Sequence, residues 1–325
     1  MSGEFAIIAR YFSPLAIDAG AFALTDDAAL AGPFLVTKDL LVEGVHFLPK
    51  DPRELVARKA LRVNLSDLAA KGAKPAGYFL GCVWPAGVKE ESIADFARGL
   101  AEDQEQFRIS LFGGDTTAHA DKSAPFTVSV TMFGTPAGGG VIHRKGAIPG
   151  DDVYVTGFIG DAGLGLRALK GSIKPSAAAK KHFIERFRLP SPRIAIGGAL
   201  SGLASASIDI SDGLLADAGH VASASGVAIE IAAAKIPLST PGAEWRDAQD
   251  DWDAAIADLA SCGDDYELLF TAPTARRRSI EMAAQVTRTP VARIGTVVRG
   301  EGVRLVGEDG ALIATPRRGF DHFKG

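Results

Sequence analysis

The sequence has little cysteine and no long hydrophobic run. Its 325 residues include two cysteines, Cys82 and Cys262, which lie far apart and outside any CxxC pattern. This usage predicts two buried thiols in a reducing cytoplasm. The longest uncharged run, residues 123–142, is broken by proline and glycine, so a strand with a loop is expected and a transmembrane helix is not. Glu4 comes early and no apolar h-region follows it, so no signal peptide is expected.

An excess of positive charge is also missing. The chain carries 35 Lys and Arg against 39 Asp and Glu, a formal net charge of -4, which argues against a nucleic-acid partner. The short basic cluster at residues 276–278 is interpreted as a solvated helix start. A hydrophobic content of 47% and a charged content of 23% are typical of a soluble globular protein. The length is sufficient for two domains.

Several sequence motifs of well-known enzymes are absent. The chain has no GxxxxGK[ST], no GxSxG and no HExxH, so P-loop, serine-hydrolase and zincin chemistry are not indicated. Residues 163–168 fit G-x-G-x-x-A after a predicted strand. A lone match of this kind is weak, and a tight strand-to-helix junction is favoured over a dinucleotide site.

The hydrophobic pattern predicts alternating strands and helices in both halves of the chain. Strands are predicted at residues 33–37, 78–83, 109–112, 126–133, 153–156, 227–231, 266–271 and 303–306. Helices are predicted at residues 53–71, 90–107, 161–170, 177–187, 192–203, 212–223 and 275–285. A flexible loop and a Pro-Gly turn precede residue 153, which places the boundary between residues 1–147 and residues 148–325.

Carboxylates beside small residues recur along the chain. The clusters are TDD (25–27), TKD (37–39), NLSD (64–67), GGDTT (113–117), DISD (209–212) and GDDYE (263–267). Each alone fits a turn, a strand end or a helix N-cap. Many of them fall at strand ends or helix starts, and carboxylates gathered without matching Lys or Arg need cations. Oxygen ligands of this kind suit Mg²⁺ bound together with substrate phosphates, so the set predicts metal-assisted phosphate chemistry.

One carboxylate lies inside a predicted helix. Asp67 falls within the helix at residues 53–71, although aspartate is a poor residue for a helix interior. Leu61, Leu65 and Leu68 form one face of that helix, and Asp67 lies on another face with Asn64 and other neighbours. A metal ligand is the favoured interpretation. The alternative is a surface aspartate that pairs with Lys71 at i,i+4.

These clusters, in this order, resemble the thiamine-monophosphate kinase family, within the superfamily of aminoimidazole ribonucleotide synthetase and selenophosphate synthetase. The resemblance covers nearly the whole chain and is specific as a set. It rests on GEFAIIARYF, LVEGVHFLP, NLSDLAAKGAKP, FGGDTT, HRKGAIPGD, LPSPR, IDISDGLLAD, CGDDYELLFT and GFDHF. The implied fold is α/β (α+β), with two mixed-sheet domains and an N-terminal domain that forms a homodimer through its sheet. The implied reaction moves the ATP γ-phosphoryl group onto thiamine monophosphate, with several Mg²⁺ ions and neither nucleic acid nor membrane as partner.

The resemblance also implies roles for individual residues. Asp67, Asp115 and Asp212 would be catalytic. The residues that resemble the family's Mg²⁺ ligands are Asp27, Thr37, Asp39, Asp67, Asp115, Asp209 and Asp212. Those that resemble its ATP contacts are Gly114, Asp115, Arg144 and Ser211. His46, Asp264 and Phe320 fall where the family holds thiamine phosphate, and Phe320 offers a flat face for an aromatic ring.

Three positions depart from the family's pattern. The opening Gly-Ile-Gly-Asp-Asp is here Ala-Leu-Thr-Asp-Asp at residues 23–27, without its glycines. Lys38 replaces a residue that is usually threonine among the metal ligands, and its ammonium is expected to neutralise phosphate charge. Asp264 stands where glutamate is common.

Two alternatives stay open at this point. One is another ATP-using enzyme of the superfamily, similar to aminoimidazole ribonucleotide synthetase, although that branch lacks the VEGVHF and GDDYELLF matches. The other is a non-catalytic nucleotide-binding scaffold that has lost a metal site through Lys38. ATP turnover with and without thiamine monophosphate separates these hypotheses.

Overall fold

Two mixed α/β units, each built on its own sheet, make up the computed structural model, which describes residues 4–315. The predicted fold class is therefore confirmed. The last strand of the first sheet ends at Pro136 and the first strand of the second begins at Asp152. The boundary after residue 147 falls in this connection and stays a prediction.

The first unit begins with short helical turns and continues into five strands and two long helices. The turns are α1 (Glu4–Ile7), a π-helical turn (Ile8–Phe12) and two 3₁₀ turns (Ser13–Leu15, Ala19–Leu24). The main elements are β1 (Ala29–Ala31), β2 (Phe34–Val42), α2 (Arg53–Ala70), β3 (Ala73–Trp84), α3 (Glu90–Phe107), β4 (Ser110–Ala118) and β5 (Thr127–Pro136). The strand order is β1-β2-β5-β3-β4, and only the β3–β4 pair is parallel among these described strands.

The second unit has six strands and seven helices within residues 148–315. Its first elements are β6 (Asp152–Thr156), α4 (Asp161–Lys170), α5 (Ala177–Arg188), α6 (Ile194–Leu200), β7 (Ala206–Asp209) and α7 (Leu214–Ser225). Its later elements are β8 (Ala228–Ala232), α8 (Thr240–Asp247), α9 (Trp252–Ala260), β9 (Leu268–Ala272), α10 (Arg277–Thr287), β10 (Val291–Val298) and β11 (Gly302–Val306). The sheet order is β11-β8-β10-β6-β9-β7.

Helix α2 lies at the centre of the molecule. Its leucine face, Leu61, Leu65 and Leu68, is fully buried against the first sheet. Its other faces are buried as well, because Ala69 and Ala70 belong to a core cluster that includes α6 and β9 of the second unit. A helix enclosed on all sides brings its C-terminal half to the junction of the two units.

The opposite face of the first sheet is open and aromatic. Phe34, Phe79, Phe112 and Phe133 form a chain of edge-to-face and tilted contacts, with ring centroids 5.8 to 6.2 Å apart. Phe79 is 45% exposed and Phe112 is 53% exposed. An apolar face of this kind is a common feature of protein–protein contact surfaces.

Several sequence interpretations have direct outcomes in the fold. Cys82 and Cys262 are buried thiols, as expected. Gly163 and Gly165 lie in α4, where an added Cβ would meet Cys262 Sγ at 2.5 Å and Phe183 O at 2.1 Å, so this match to G-x-G-x-x-A serves helix packing. Arg277 pairs with Asp152 at 2.6 Å. Within residues 4–315, none of the helices combines the length and apolarity needed to cross a membrane.

Candidate active site

Carboxylates from four separate segments meet at the junction of the two units. Asp27 precedes β1, Asp39 lies on β2, Asp67 on α2, and Asp209 at the end of β7. Because side chains alternate along a strand, Thr37 and Asp39 share one face of β2, and Thr37 Oγ1 donates a hydrogen bond to Asp67 Oδ2. The structure therefore brings together five of the residues predicted as metal ligands.

Burial and mutual repulsion raise the pKa values of several of these clustered carboxylates, which we call the carboxylate group. Burial raises the pKa of Asp67 well above its usual range, and the charges of Asp39, Asp209 and Asp27 raise it further. Burial likewise raises the pKa of Asp39 to about 6 and that of Asp209 to about 7. Each raised value reflects a negative charge that the folded protein holds at a cost.

Two buried cations partly neutralise the group. Lys71 Nζ lies 2.5 Å from Asp26 Oδ1 and 2.8 Å from Asp27 Oδ2, and Arg144 NH2 is hydrogen bonded to Asp27 Oδ1. Burial alone would raise the pKa of Asp27, but these two cations lower it below its usual value. The expectation that the carboxylates lack matching cations is therefore wrong for Asp26 and Asp27, whose cations come from elements distant in sequence.

The proposed surface pair between Asp67 and Lys71 is also wrong. The Lys71 side chain is fully buried and donates to Ser207 O at 2.9 Å as well as contacting the two aspartates. Asp67 instead accepts from Thr37 and is surrounded by carboxylates. The spacing of four residues puts the two side chains on one face of the helix. The Lys71 ammonium instead contacts Asp26 and Asp27, which lie in the segment before β1.

The donor set fits a divalent cation. Asp39 Oδ2 is buried without a hydrogen-bond partner among the described residues. A buried carboxylate oxygen of this kind is unfavourable unless something binds it. Asp39, Asp67, Asp209 and Thr37 offer only oxygen atoms, which are the ligands that Mg²⁺ prefers.

A second acidic group lies at the start of α7. Ligand atoms of Asp212, Asp217 and His220 lie within 4.8 Å of one another. Asp217 Oδ2 accepts from the backbone N–H groups of Asp212 and Gly213, both at 3.1 Å, so it holds the turn that leads into the helix. Burial and the charge of Arg144 together lower the pKa of His220 to about 4. Asp212 was predicted from sequence, whereas Asp217 and His220 were not.

Two residues predicted to hold substrate meet at one lysine. Lys59 Nζ lies 2.9 Å from Asp264 Oδ1 and donates to His46 O at 2.9 Å. His46 Nδ1 accepts from Val42 N at 3.0 Å, which leaves Nε2 to carry the proton of the neutral ring. Phe320, the third predicted residue, lies outside the described residues.

The predicted nucleotide contacts are spread over three segments. Arg144 lies within the carboxylate group, and exposed Ser211 accepts from Asp264 N through its backbone oxygen at 2.8 Å. Gly114 and Asp115 lie on the exposed strand β4, and Asp115 is not among the main charges acting on Asp39, Asp67 or Asp209. A Cβ at Gly114 would lie 1.9 Å from Leu80 O, so the β3–β4 pairing requires this glycine.

Lys38 points away from the carboxylates. Its side chain lies on the open face of β2, opposite to Thr37 and Asp39, and its Nζ donates to Ser129 Oγ on β5. Its charge nevertheless offsets part of the rise in the pKa of Asp39. The expectation that its ammonium neutralises bound phosphate stays a prediction.

The opening segment that lacks the family's glycines keeps an unusual backbone. Phe22, Ala23 and Leu24 have φ values of 48°, 53° and 57°, in the left-handed region that side chains disfavour. The Phe22 ring contacts the His143 ring edge to face at 4.8 Å, and His143 Nδ1 lies 2.8 Å from Asp26 Oδ2. These contacts hold the segment next to the carboxylate group.

Several residues of the site were not predicted. Lys71 and His143 lie inside motifs that carry the resemblance, and Asp26 lies in the TDD cluster, so this membership was the available signal. Tyr266 packs against the core of the first unit, and nearby Asp264, Asp39, Asp209 and Asp67 act with burial to raise its pKa. Its position depends on how the two units meet, which no local pattern reports.

Comparison with known protein families assigns both units. Residues 18–135 match the AIR synthase related protein, N-terminal domain, and residues 149–308 match the AIR synthase related protein, C-terminal domain. The thiamine-monophosphate kinase of Caulobacter vibrioides is 44% identical over 92% of this chain and 85% of its own. That of Salmonella typhimurium is 38% identical over 99% of this chain and 98% of its own.

Solved structures show the same architecture. A complex described as AaThiL complexed with AMPPCP and TMP has a TM-score of 0.84 and 32% identity, over 99% of this chain and 97% of that chain. The thiamine-monophosphate kinase of Stenotrophomonas maltophilia K279a has a TM-score of 0.77 and 36% identity, over 96% and 98% of the two chains. The likeness extends through both sheets and the junction between them.

Proposed function

The chain belongs to the thiamine-monophosphate kinase family, and we propose that it transfers the γ-phosphoryl group of ATP to thiamine monophosphate, which gives thiamine diphosphate and ADP. The observation that carries this proposal is the buried carboxylate group at the junction of the two units, which holds more negative charge than Lys71 and Arg144 supply. The related AaThiL complex contains AMPPCP and TMP, which supports the same pair of ligands here.

Magnesium ions are the proposed counter-charge. Asp27, Thr37, Asp39, Asp67 and Asp209 would hold them in the main group, with Asp212 from the neighbouring group. When bound, Mg²⁺ supplies charge neutralisation and positioning of the phosphates. Asp115 remains a proposed ligand on β4.

The chain's own residues have separate proposed roles at the two ends of the site. Arg144, Ser211, Gly114 and Asp115 would contact ATP. The buried ammonium of Lys71 holds Asp26 and Asp27 in place and lowers the pKa of Asp27. At the other end, His46, Asp264 and Phe320 would hold thiamine monophosphate. The attacking oxygen belongs to a phosphate that is already anionic, so positioning and electrostatics are sufficient without a protein base.

A homodimer is the proposed assembly. The open face of the first sheet presents Phe34, Phe79, Phe112 and Phe133 as a continuous aromatic surface. A second copy packing on this face would bury it by an isologous contact, the commonest symmetry of soluble oligomers. The buried thiols Cys82 and Cys262 support a reducing, cytoplasmic setting for the protein.

The function is tested by following ATP consumption with Mg²⁺ and three additions: thiamine monophosphate, thiamine, or no acceptor. We expect ADP release that depends on thiamine monophosphate and falls to background with thiamine or no acceptor. Turnover that is independent of thiamine monophosphate would favour another ATP-using enzyme of the superfamily. Binding of ATP without turnover under any of these conditions would favour the scaffold alternative.

A further inference from the structure

Lys59 is a buried lysine of α2 for which the reaction described above gives no role. Its side chain is 2% exposed. The ammonium lies 2.9 Å from Asp264 Oδ1, donates to His46 O at 2.9 Å, and stands 4.1 Å from the centroid of the Phe187 ring. A carboxylate, a carbonyl and an aromatic face therefore surround the charge, and these contacts leave it poorly placed to bind a substrate phosphate directly.

The loop that carries Asp264 has an unusual backbone. Asp264 has φ 70° and Tyr266 has φ 50°, both in the left-handed region. Such conformations are unfavourable for residues with side chains and persist only where the surroundings impose them. The backbone N–H groups of both residues donate at 2.8 Å, Asp264 to Ser211 O and Tyr266 to Ile210 O.

The alternate residues of the same loop are anchored inside the second unit. Asp265 Oδ2 accepts from Gly160 N at 2.7 Å, and the fully buried Glu267 lies 2.9 Å from Arg186 and 2.5 Å from Arg193. Asp265 and Glu267 thus fix the loop to the second unit. Asp264 is fixed instead by Lys59, a cation that belongs to the first unit.

The second partner of Lys59 lies on the segment that follows β2. The His46 ring is oriented by the Val42 N–H group, while its carbonyl oxygen is held by Lys59. A single ammonium consequently connects the two described segments, one from each unit, that are proposed to hold thiamine monophosphate. By contrast, Lys71 and Arg144 serve the proposed nucleotide and metal end.

We infer that Lys59 is a positioning residue for the acceptor substrate, which it serves by fixing His46 and Asp264 relative to each other across the junction of the two units. This inference rests on the proposed function. If it holds, loss of the ammonium should weaken the use of thiamine monophosphate and leave ATP binding nearly unchanged, because the contacts of Lys59 lie at the acceptor end.

The experiment uses the full chain with Lys59→Met, which keeps an unbranched side chain and removes the charge. The matched control is Arg62→Met, since Arg62 is also a buried cation of α2 that reaches the second unit, at Pro190 O at 2.8 Å, while its other partners are Asp103 at 2.6 Å and Gln106 at 2.9 Å. Lys59→Met should raise KM for thiamine monophosphate at least tenfold and change KM for ATP less than twofold. Arg62→Met should lower the temperature of unfolding without separating the two KM values.

A second variant keeps the test decisive if Lys59→Met does not fold. Lys59→Gln retains a donor of shorter reach and should show the same separation of KM values in weaker form. If the wild type is active and a Lys59 variant changes both KM values equally, or changes neither, this inference is overturned while the proposed function stands. A wild type without turnover dependent on thiamine monophosphate would overturn the proposed function and this inference with it.

Discussion

Asp67 shows how one residue is kept in an unfavourable state for the sake of a site. It lies near the C-terminal end of a helix that is buried on nearly all sides, and burial and three neighbouring carboxylates raise its pKa well above the usual range. Aspartate has a modest helix propensity, and this environment adds electrostatic repulsion to that cost. The arrangement is explained if Asp67 acts with a bound cation.

Replacing Asp67 with asparagine should separate stability from activity. Asp67→Asn keeps the shape and removes one repelling charge, so the metal-free protein should be as stable as wild type or more stable. Phosphoryl transfer should fall about 10²-fold or more, the order found when a charge-stabilising group is removed. Thermal unfolding in EDTA and steady-state turnover at saturating Mg²⁺ check the two parts.

The control for Asp67→Asn is Asp95→Asn, which removes an exposed carboxylate on α3 that pairs with Arg98. This variant should leave both stability and turnover near wild type, because exposed pairs contribute little. Turnover of Asp67→Asn within a few-fold of wild type would show that Asp67 is not a metal ligand.

The raised pKa values predict an unusual dependence of stability on pH. Asp39 and Asp209 have pKa values of about 6 and about 7 in the folded protein, above the ordinary aspartate value of 3.8. Between pH 3.8 and these raised pKa values, the folded state binds more protons than the unfolded state. The free energy of unfolding therefore falls as pH rises through this range. In EDTA, thermal stability should therefore decline from about pH 4 to about pH 7 through this contribution.

Two comparisons isolate that contribution. Asp209→Asn should flatten the decline, and added Mg²⁺ should raise the unfolding temperature more at pH 7.5 than at pH 5.5, because the ion competes with protons for the same oxygens. A metal-free wild type and an Asp209→Asn variant with identical pH profiles would contradict the raised pKa of Asp209.

The sequence predicted the acidic half of the site better than its basic half. Asp27, Asp39, Asp67 and Asp209 stand in recognisable motifs, and all four meet in the structure. The alternative that paired Lys71 with Asp67 rested on helical spacing alone. Its contacts with Asp26 and Ser207 O come from residues 45 and 136 positions away, which a local pattern does not report.

At the scale of elements, the crossing of α6 over α2 fixes how the two units meet. Gly197 of α6 sits against the backbone of α2, where an added Cβ would lie 2.1 Å from Ala69 O. The next residue, Gly198, has no heavy atom within 4 Å of the same added carbon. Two adjacent glycines of one helix therefore have opposite requirements.

Alanine at these two positions should have effects of opposite sign. Gly197→Ala should force the helices apart and lower the free energy of unfolding by about 1–3 kcal/mol, as overpacking does. Gly198→Ala should raise it by about 0.4–1 kcal/mol, since alanine restricts the unfolded chain and no clash opposes it. Thermal or denaturant unfolding of both variants measures the difference, and similar effects at both positions would contradict the close crossing.

The elements themselves were predictable where their periodicity is long. Helices α2 and α3 begin at the predicted residues because apolar positions recur at helical spacing. Strand β10 was missed because its sequence carries Arg293 and Gly295, where the pairing with β6 has an irregular register. Strand β7 and helices α8 and α9 were missed too, since short elements give little periodicity on which to base a prediction.

At the scale of the whole molecule, the open aromatic face of the first sheet is the main feature that a single chain leaves unexplained. Its phenylalanines contact one another and remain partly exposed. Strand β4, which carries Gly114 and Asp115 and is exposed at all positions except Gly113, forms an edge of the same sheet. The proposed homodimer would cover this face.

A charge on this face should prevent association. Phe112→Glu places a carboxylate in the aromatic surface, and we expect sedimentation velocity to show a dimer for wild type and a monomer for the variant. The control is Val286→Glu, which changes an 82% exposed valine on α10 of the second unit. This variant should remain dimeric. A wild type that sediments as a monomer, or a dimeric Phe112→Glu, would contradict the proposed interface.

The central claim is transfer of the γ-phosphoryl group of ATP to the phosphate of thiamine monophosphate, and the fate of the γ-phosphorus tests it most directly. Purified protein is incubated with Mg²⁺, thiamine monophosphate and ATP labelled at the γ-phosphorus, and the products are separated. The account predicts that the label appears in thiamine diphosphate in equal amount to the ADP formed, with inorganic phosphate at background. Label found in inorganic phosphate, with thiamine monophosphate unchanged, would contradict it.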